Sequence, residues 1–195
     1  MKYVLILALL FPLWSANANQ VKGFNLTEDG TLEFNANPDS EVKTEAQVAV
    51  DNAKALGANH IVLNVRAKMD GPRSVDLIPL TGTGSVAQEA RKMNALIKYI
   101  QAQGMTTGLR PIFFVVGPNG EFPYTEILAD GSEKVWWHGN IQPEFPDRWF
   151  ENFQLYLDRY LTIARLAKVE EFTIGAELYS MTVGIEDQWQ EHPHG

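Results

Sequence analysis

The sequence predicts an α/β protein built on a parallel sheet. Short, nearly continuous apolar runs begin near residues 21, 60, 105 and 171, and amphipathic stretches of helical period fill the gaps between them. Strands that alternate with helices must run parallel, with each crossover helix packed outside the sheet. A third observation is a long aromatic loop, 117–146, after the third apolar run. Open sheets and closed barrels alike place their sites at that end of a strand. On these patterns alone, a doubly wound sheet and part of a closed barrel both remain open.

The first segment stands apart from the fold. Lys2 gives a positive start, Val4 to Leu13 is apolar apart from Pro12, and Ala16-Asn17-Ala18 places small residues where a signal peptidase reads. This pattern is expected of a secretory signal peptide over 1–18, too short and wrongly flanked for a spanning helix, with a retained anchor as the alternative. The expected product is a secreted or periplasmic domain over 19–195 with no membrane span.

Val21 to Leu26 reads as the first strand, closed by the turn cluster Thr27-Glu28-Asp29-Gly30. Val42, Ala46, Ala49, Ala53 and Leu56 form the stripe of a first helix that Gly57 stops. His60 to Val65 is nearly unbroken apolar sequence, as a parallel strand covered on both faces requires. Ser85 and Gln88 have capping-box spacing for a second helix with Val86, Ala90, Met93, Ile97 and Ile100 inward and Gly104 at its end. Met105 to Ile112 reads as the third strand, prolonged by Phe113 to Val116, with Pro111 near its end. A third helix starts near Asp147 and buries Phe150, Phe153, Tyr156 or Leu157, Tyr160 and Ala164. Glu171 to Leu178 is the fourth strand, and Ile185 to Gln190 leads toward a fourth helix.

Composition excludes several functions. The net charge of −8 argues against nucleic acid, which would demand clustered Lys and Arg. With no cysteine, thiolate metal sites and thiol catalysis are ruled out. Gly23 stands alone before Gly30, so no glycine fingerprint supports a nucleotide, and no cofactor is expected. His192 and His194, at i, i+2 with no third ligand nearby, make a poor metal site. His60 begins a strand at the end opposite the loops and reads as structural.

Glu177, in Ile174-Gly175-Ala176-Glu177-Leu178, is the candidate catalytic residue. A carboxylate at a strand's carboxyl end, walled by apolar side chains, has its acid form favoured, as a general acid at a glycosidic oxygen requires. The alternative is an ion pair with Arg66 or Arg110, which end neighbouring strands. The loop adds Tyr124 and Trp136-Trp137-His138-Gly139-Asn140. Indoles can stack on the C–H faces of a pyranose, while His138, Asn140, Arg66 and Arg110 can meet hydroxyls. Against this, the tryptophans could simply pin the loop, and one packing with the other binding is the expected split.

Several segments resemble, in order, the mannanase-type glycoside hydrolases of family 113 and their TIM-barrel relatives. They are GANHIVLNV (57–65), QGMTTGLRPIF (103–113), the W-x-G-x-I-x-P loop (137–143), RWFENFQLYLDRYLTIA from Arg148, and FTIGAEL (172–178). The resemblance runs from about Lys22 to Trp189 and implies a (β/α)8 barrel with only its first four βα units. It also implies Glu177 as the acid/base, aromatic subsites in the loop, and retaining hydrolysis of a β-linked glycan such as mannan. In that pattern the nucleophile ends a seventh strand, whereas 195 residues fall short of the ~250 a barrel typically takes. The chain alone is therefore expected not to turn over by the two-carboxylate route. A non-catalytic carbohydrate-binding remnant is the alternative, and the open edges of a half barrel invite self-association.

Overall fold

The computed structural model describes residues 20–28, 32–80 and 85–182. The expected signal segment and the approach to a fourth helix lie outside them. β1 (Gly23–Thr27) leads through α1 (Glu45–Ala55) to β2 (His60–Asp70), the short β3 (Ile78–Pro79) and α2 (Val86–Ala102). β4 (Thr106–Val116) is followed by β5 (Tyr124–Ile127) and β6 (Glu133–Trp136), then α3 (Pro146–Ala167), β7 (Glu171–Phe172) and α4 (Tyr179–Thr182). The main sheet has the order β1-β2-β4-β7, with every neighbouring pair parallel and β3 antiparallel on β2. Each parallel crossover thus carries one helix, as the strand–helix alternation predicts.

Alternation along the strands separates two faces. Ile61, Leu63, Val65, Ala67 and Met69 are fully buried on the helix side, where the Trp149 indole N–H meets Met69 Sδ at 3.4 Å. Burying each of the larger side chains is worth about 1.5–3 kcal/mol. α3 lies over the same face: Trp149 stacks on Phe153 with ring centroids 4.9 Å apart, and the Tyr156 hydroxyl reaches the carbonyls of Val65 at 3.0 Å and Ile112 at 2.8 Å. Desolvation holds the Tyr156 and Tyr160 phenols far above their ordinary range. The opposite face carries Thr27, Asn64, Arg66, Lys68 and Arg110.

Four elements differ from the sequence expectation. β2 runs on to Asp70, because Arg66, Lys68 and Asp70 alternate with apolar Ala67 and Met69 while staying in register with 112–116 of β4. β4 likewise passes through Pro111, which therefore sits mid-strand. The carbonyls of Thr107 and Leu109 accept from the amides of Glu170 and Thr173, so odd positions of β4 face β7. That ladder stops at Phe172, and the missing N–H of Pro111 falls where no partner strand continues. α1 is capped by a Thr44–Gln47 box and buries Ala46, Gln47, Val50 and Ala53, leaving Val42 and Leu56 exposed outside it. The expected fourth strand, 171–178, shrinks to two residues.

At the amino end of the sheet, His60 is buried, with Nδ1 at 2.8 Å from Thr106 Oγ1 and Nε2 at 3.3 Å from Glu171. Nearby, Glu170 accepts from the amide and hydroxyl of Thr107, both at 2.8 Å. Burial pushes the Glu170 carboxyl up, but these hydrogen bonds outweigh it and hold the group below its ordinary range. This end is a structural seam. Among the described residues no helix is long and apolar enough to cross a membrane.

Candidate active site

The long loop after β4 is not irregular. Asp130 and Gly131 form a turn, with φ of 82° at Gly131, that folds β5 against β6 as an antiparallel hairpin. An Asp-Gly pair between two alternating runs is a hairpin signal that the sequence carries. The loop is then tied down beyond β6: the amides of Gln142 and Glu144 donate to the carbonyls of Pro72 at 2.9 Å and Arg73 at 3.0 Å.

Trp136 and Trp137 part at the hairpin's end. Trp136 is 1% exposed, its indole N–H donates to Glu126 at 2.7 Å, and Lys134 Nζ lies 3.7 Å from its ring centre. It packs the hairpin, and its faces are closed to a ligand. Trp137 is 42% exposed. Its ring lies across Gly139, where an added Cβ would come within 2.2 Å of it. That close approach is why the turn needs glycine. Asn140 spends its side-chain amide on the same turn, accepting from the Trp137 amide at 2.9 Å and donating to the Val135 carbonyl at 3.0 Å. It shapes the loop. Tyr124, half-buried, pairs with Trp136 across the hairpin.

His138 is the hinge between loop and sheet. Its ring meets Phe113, Phe114 and Trp137 edge-to-face at centroid distances of 5.9, 6.5 and 5.1 Å. Its Nε2 lies 2.9 Å from Glu177 Oε2, and next to it the Ser180 amide donates to the Gly139 carbonyl at 3.0 Å. Glu177 thus has a histidine for its partner, rather than either arginine. It stands five positions beyond β7, with φ of 54° and a side chain 68% exposed. The expected strand position and apolar wall are both corrected: pairing ends at Phe172, and a left-handed residue cannot belong to a strand.

The arginines stand on the sheet face opposite the helices. Arg110 Nε donates to Asn64 Oδ1 at 2.9 Å, and Asn64 passes the chain on to Thr27 Oγ1 at 2.9 Å. Arg66 lies over the Phe114 ring, 5.2 Å from its centre. Two residues of this region were not singled out from sequence. Phe114 underlies both Arg66 and His138, and the apolar run 113–116 was its only signal. Glu28 follows β1, read from sequence as a turn. Burial raises its carboxyl above the ordinary range despite the Phe34 amide, with Glu89 and Glu33 adding to the rise and Arg66 opposing it. Among the described residues no group of three or more His, Asp or Glu could hold a metal ion.

Solved structures of glycoside hydrolase family 113 β-mannanases resemble this chain. A β-mannanase from Alicyclobacillus acidocaldarius, in complex with ManMIm, superposes with a TM-score of 0.52 at 20% identity, covering 76% of this chain and 44% of that one. A complex structure of a family 113 β-1,4-mannanase gives 0.48 at 22% identity with the same coverage. No family model matches the chain, and no curated protein matches it. The first of these likenesses shows the fold, part of a (β/α) barrel. The match spans less than half the length of those enzymes.

Proposed function

We propose that this chain carries the acid/base side of a retaining glycoside-hydrolase site for a β-linked glycan of the mannan type, with Glu177 as the acid/base. The observation that carries the reading is the 2.9 Å contact of Glu177 with His138, set beside the exposed indole of Trp137 on the carboxyl side of the parallel sheet. A carboxyl beside an aromatic platform can protonate a glycosidic oxygen while the sugar ring is held against the indole. Arg66 and Arg110, with polar hydrogens on the sheet face opposite the helices, would meet hydroxyls of the same glycan. Retaining chemistry also needs a nucleophile ~5–5.5 Å from the acid. The family pattern puts it on a seventh strand, and the described residues supply four parallel ones.

Calorimetric titration with β-1,4-manno-oligosaccharides, alongside a reducing-sugar assay, tests this. Binding that Trp137→Ala weakens at least tenfold supports the reading. Binding of no oligosaccharide would sink it. A second reading, a carbohydrate-binding remnant without turnover, is favoured by the openness of Glu177. It predicts the same binding and no release of reducing ends even from a chain extended to a seventh strand, where the acid/base reading predicts release that Glu177→Gln abolishes.

Two further parts of the proposal concern the rest of the chain. Residues 1–18 direct it out of the cytoplasm, which amino-terminal sequencing of secreted material would check. The outer edges of β1 and β7, unpaired among the described residues, let the sheet associate with another copy, and a monomer by size-exclusion chromatography would refute that.

A further inference from the structure

We infer that His138 is a positioning residue for Glu177, not a contact to the sugar; the inference rests on the reading of Glu177 as the acid/base. Three edge-on rings, Phe113, Phe114 and Trp137, fix the imidazole plane and direct Nε2 at the carboxylate. With Nε2 taken by the carboxylate and only 20% of the side chain exposed, the imidazole has little left to offer a sugar hydroxyl. The carboxylate itself has little else to hold it. It is largely exposed, Oε1 has no partner among the described residues, and the backbone of Glu177 sits at φ 54°, a region that residues with a Cβ disfavour. The loop supplies what the segment lacks. His138 takes the side chain at 2.9 Å, and one residue on, the Gly139 carbonyl takes the Ser180 amide at 3.0 Å, so two adjacent loop residues clamp the turn from both sides.

The division of labour between the two oxygens follows. With Nε2–H donating to Oε2, Oε1 is the oxygen that exchanges protons. Paired with a carboxylate nucleophile beyond these four strands, it gives its proton to the leaving glycosidic oxygen as the nucleophile takes the anomeric carbon, and takes a proton from the water that then releases the sugar from that nucleophile. The His138–Oε2 hydrogen bond is kept through both steps, so no net proton passes to the imidazole. A residue in this role holds the acid in place and leaves substrate affinity to Trp137, Arg66 and Arg110.

The test is nuclear magnetic resonance of the chain with its histidine rings labelled with nitrogen-15. In the wild type, a slowly exchanging Nε2–H signal from His138 is expected. Glu177→Ala, a change at an exposed side chain, should lose that signal to solvent exchange. His138→Leu, which keeps bulk but no donor, should return residue 177 to a negative φ by its backbone couplings, and His138→Gln should restore the positive one. The inference is overturned if the Nε2–H signal ignores Glu177→Ala, or if φ at 177 is the same in all three proteins. It is equally overturned if manno-oligosaccharide affinity falls with His138→Leu as much as with Trp137→Ala. Intact coupling between 138 and 177 in a protein that binds no oligosaccharide would instead refute the functional reading and leave the clamp standing.

Discussion

Gly139→Ala should expose how the aromatic loop is held. Gly139 is not needed for its backbone angles; the indole of Trp137 occupies the space that a side chain would take. An added Cβ would lie 2.2, 2.4 and 2.5 Å from three ring atoms, well inside van der Waals contact. Were the ring confined, overpacking of this kind would cost about 1–3 kcal/mol. Trp137 is 42% exposed, so the ring can instead swing into solvent. The loss is then its cover over Gly139 and the edge contact with His138 at 5.1 Å, worth about 0.5–1.5 kcal/mol. The expected destabilisation is therefore about 1–2 kcal/mol by urea titration, toward the lower half of the overpacking range. In a Trp137→Ala background the clash is absent, and the same change should be neutral or stabilising by up to about 1 kcal/mol, through the unfolded chain. A double-mutant cycle should accordingly give a coupling of about 1–3 kcal/mol. Additive effects, agreeing to within about 0.5 kcal/mol, would refute the account of the turn.

Three more predictions concern the frame around the site. Glu89 on α2 is half-buried against α3, where it accepts from Arg159 Nε at 3.2 Å, from Arg159 Nη2 and from the Tyr160 hydroxyl at 3.0 Å. Glu89→Ala strands those donors and should cost about 3–5 kcal/mol in chemical denaturation, with a loss under about 1 kcal/mol refuting the role. Tyr156→Phe removes one hydroxyl from two strand carbonyls and should cost about 1 kcal/mol in the same assay. Two carboxyls should respond to pH in opposite senses. Glu28 has a raised folded pKa, so its contribution is full below about 4.5 and fades as pH rises through the raised value; Glu28→Gln should match wild type in acid and exceed it near neutrality. Glu170 has a lowered one, so its contribution is present above 4.5 and lost as pH falls; Glu170→Gln should be destabilised near neutrality and converge on wild type in acid. Thermal melts across pH check both, and parallel curves for either variant would contradict its assignment.

What could be read from sequence was local. The Ser85–Gln88 capping box appears in the fold as written, and so does the stripe of α2 over Met93, Ile97 and Ile100, because both depend on neighbours within a few turns; Val86, expected inward, is exposed in the first turn. Strand lengths were harder. The carboxyl half of β2 mixes charge with Ala67 and Met69, and only pairing with β4 reveals it as a strand. β7 erred the other way: apolar residues after Phe172 suggested a strand that its partner does not continue. The split between Trp136 and Trp137 follows from strand geometry, since successive side chains point to opposite faces, but which one faces inward depends on where the hairpin sits. The contact of His138 with Glu177 spans 39 positions and no spacing rule reaches it. The alternative reading, an ion pair of Glu177 with an arginine, fails for a related reason: Arg110 is claimed by Asn64 and Arg66 lies over Phe114.

The central claim, a glycan cleft beside Glu177, is tested most directly by following the two adjacent indoles during titration with a β-1,4-manno-oligosaccharide. The indole N–H of Trp137 and the amides of His138 and Glu177 should shift together with one saturation curve, while the indole N–H of Trp136, held by Glu126 and covered by Lys134, should stay in place. Saturable shifts confined to another part of the sheet, or no shift at millimolar sugar, would contradict it.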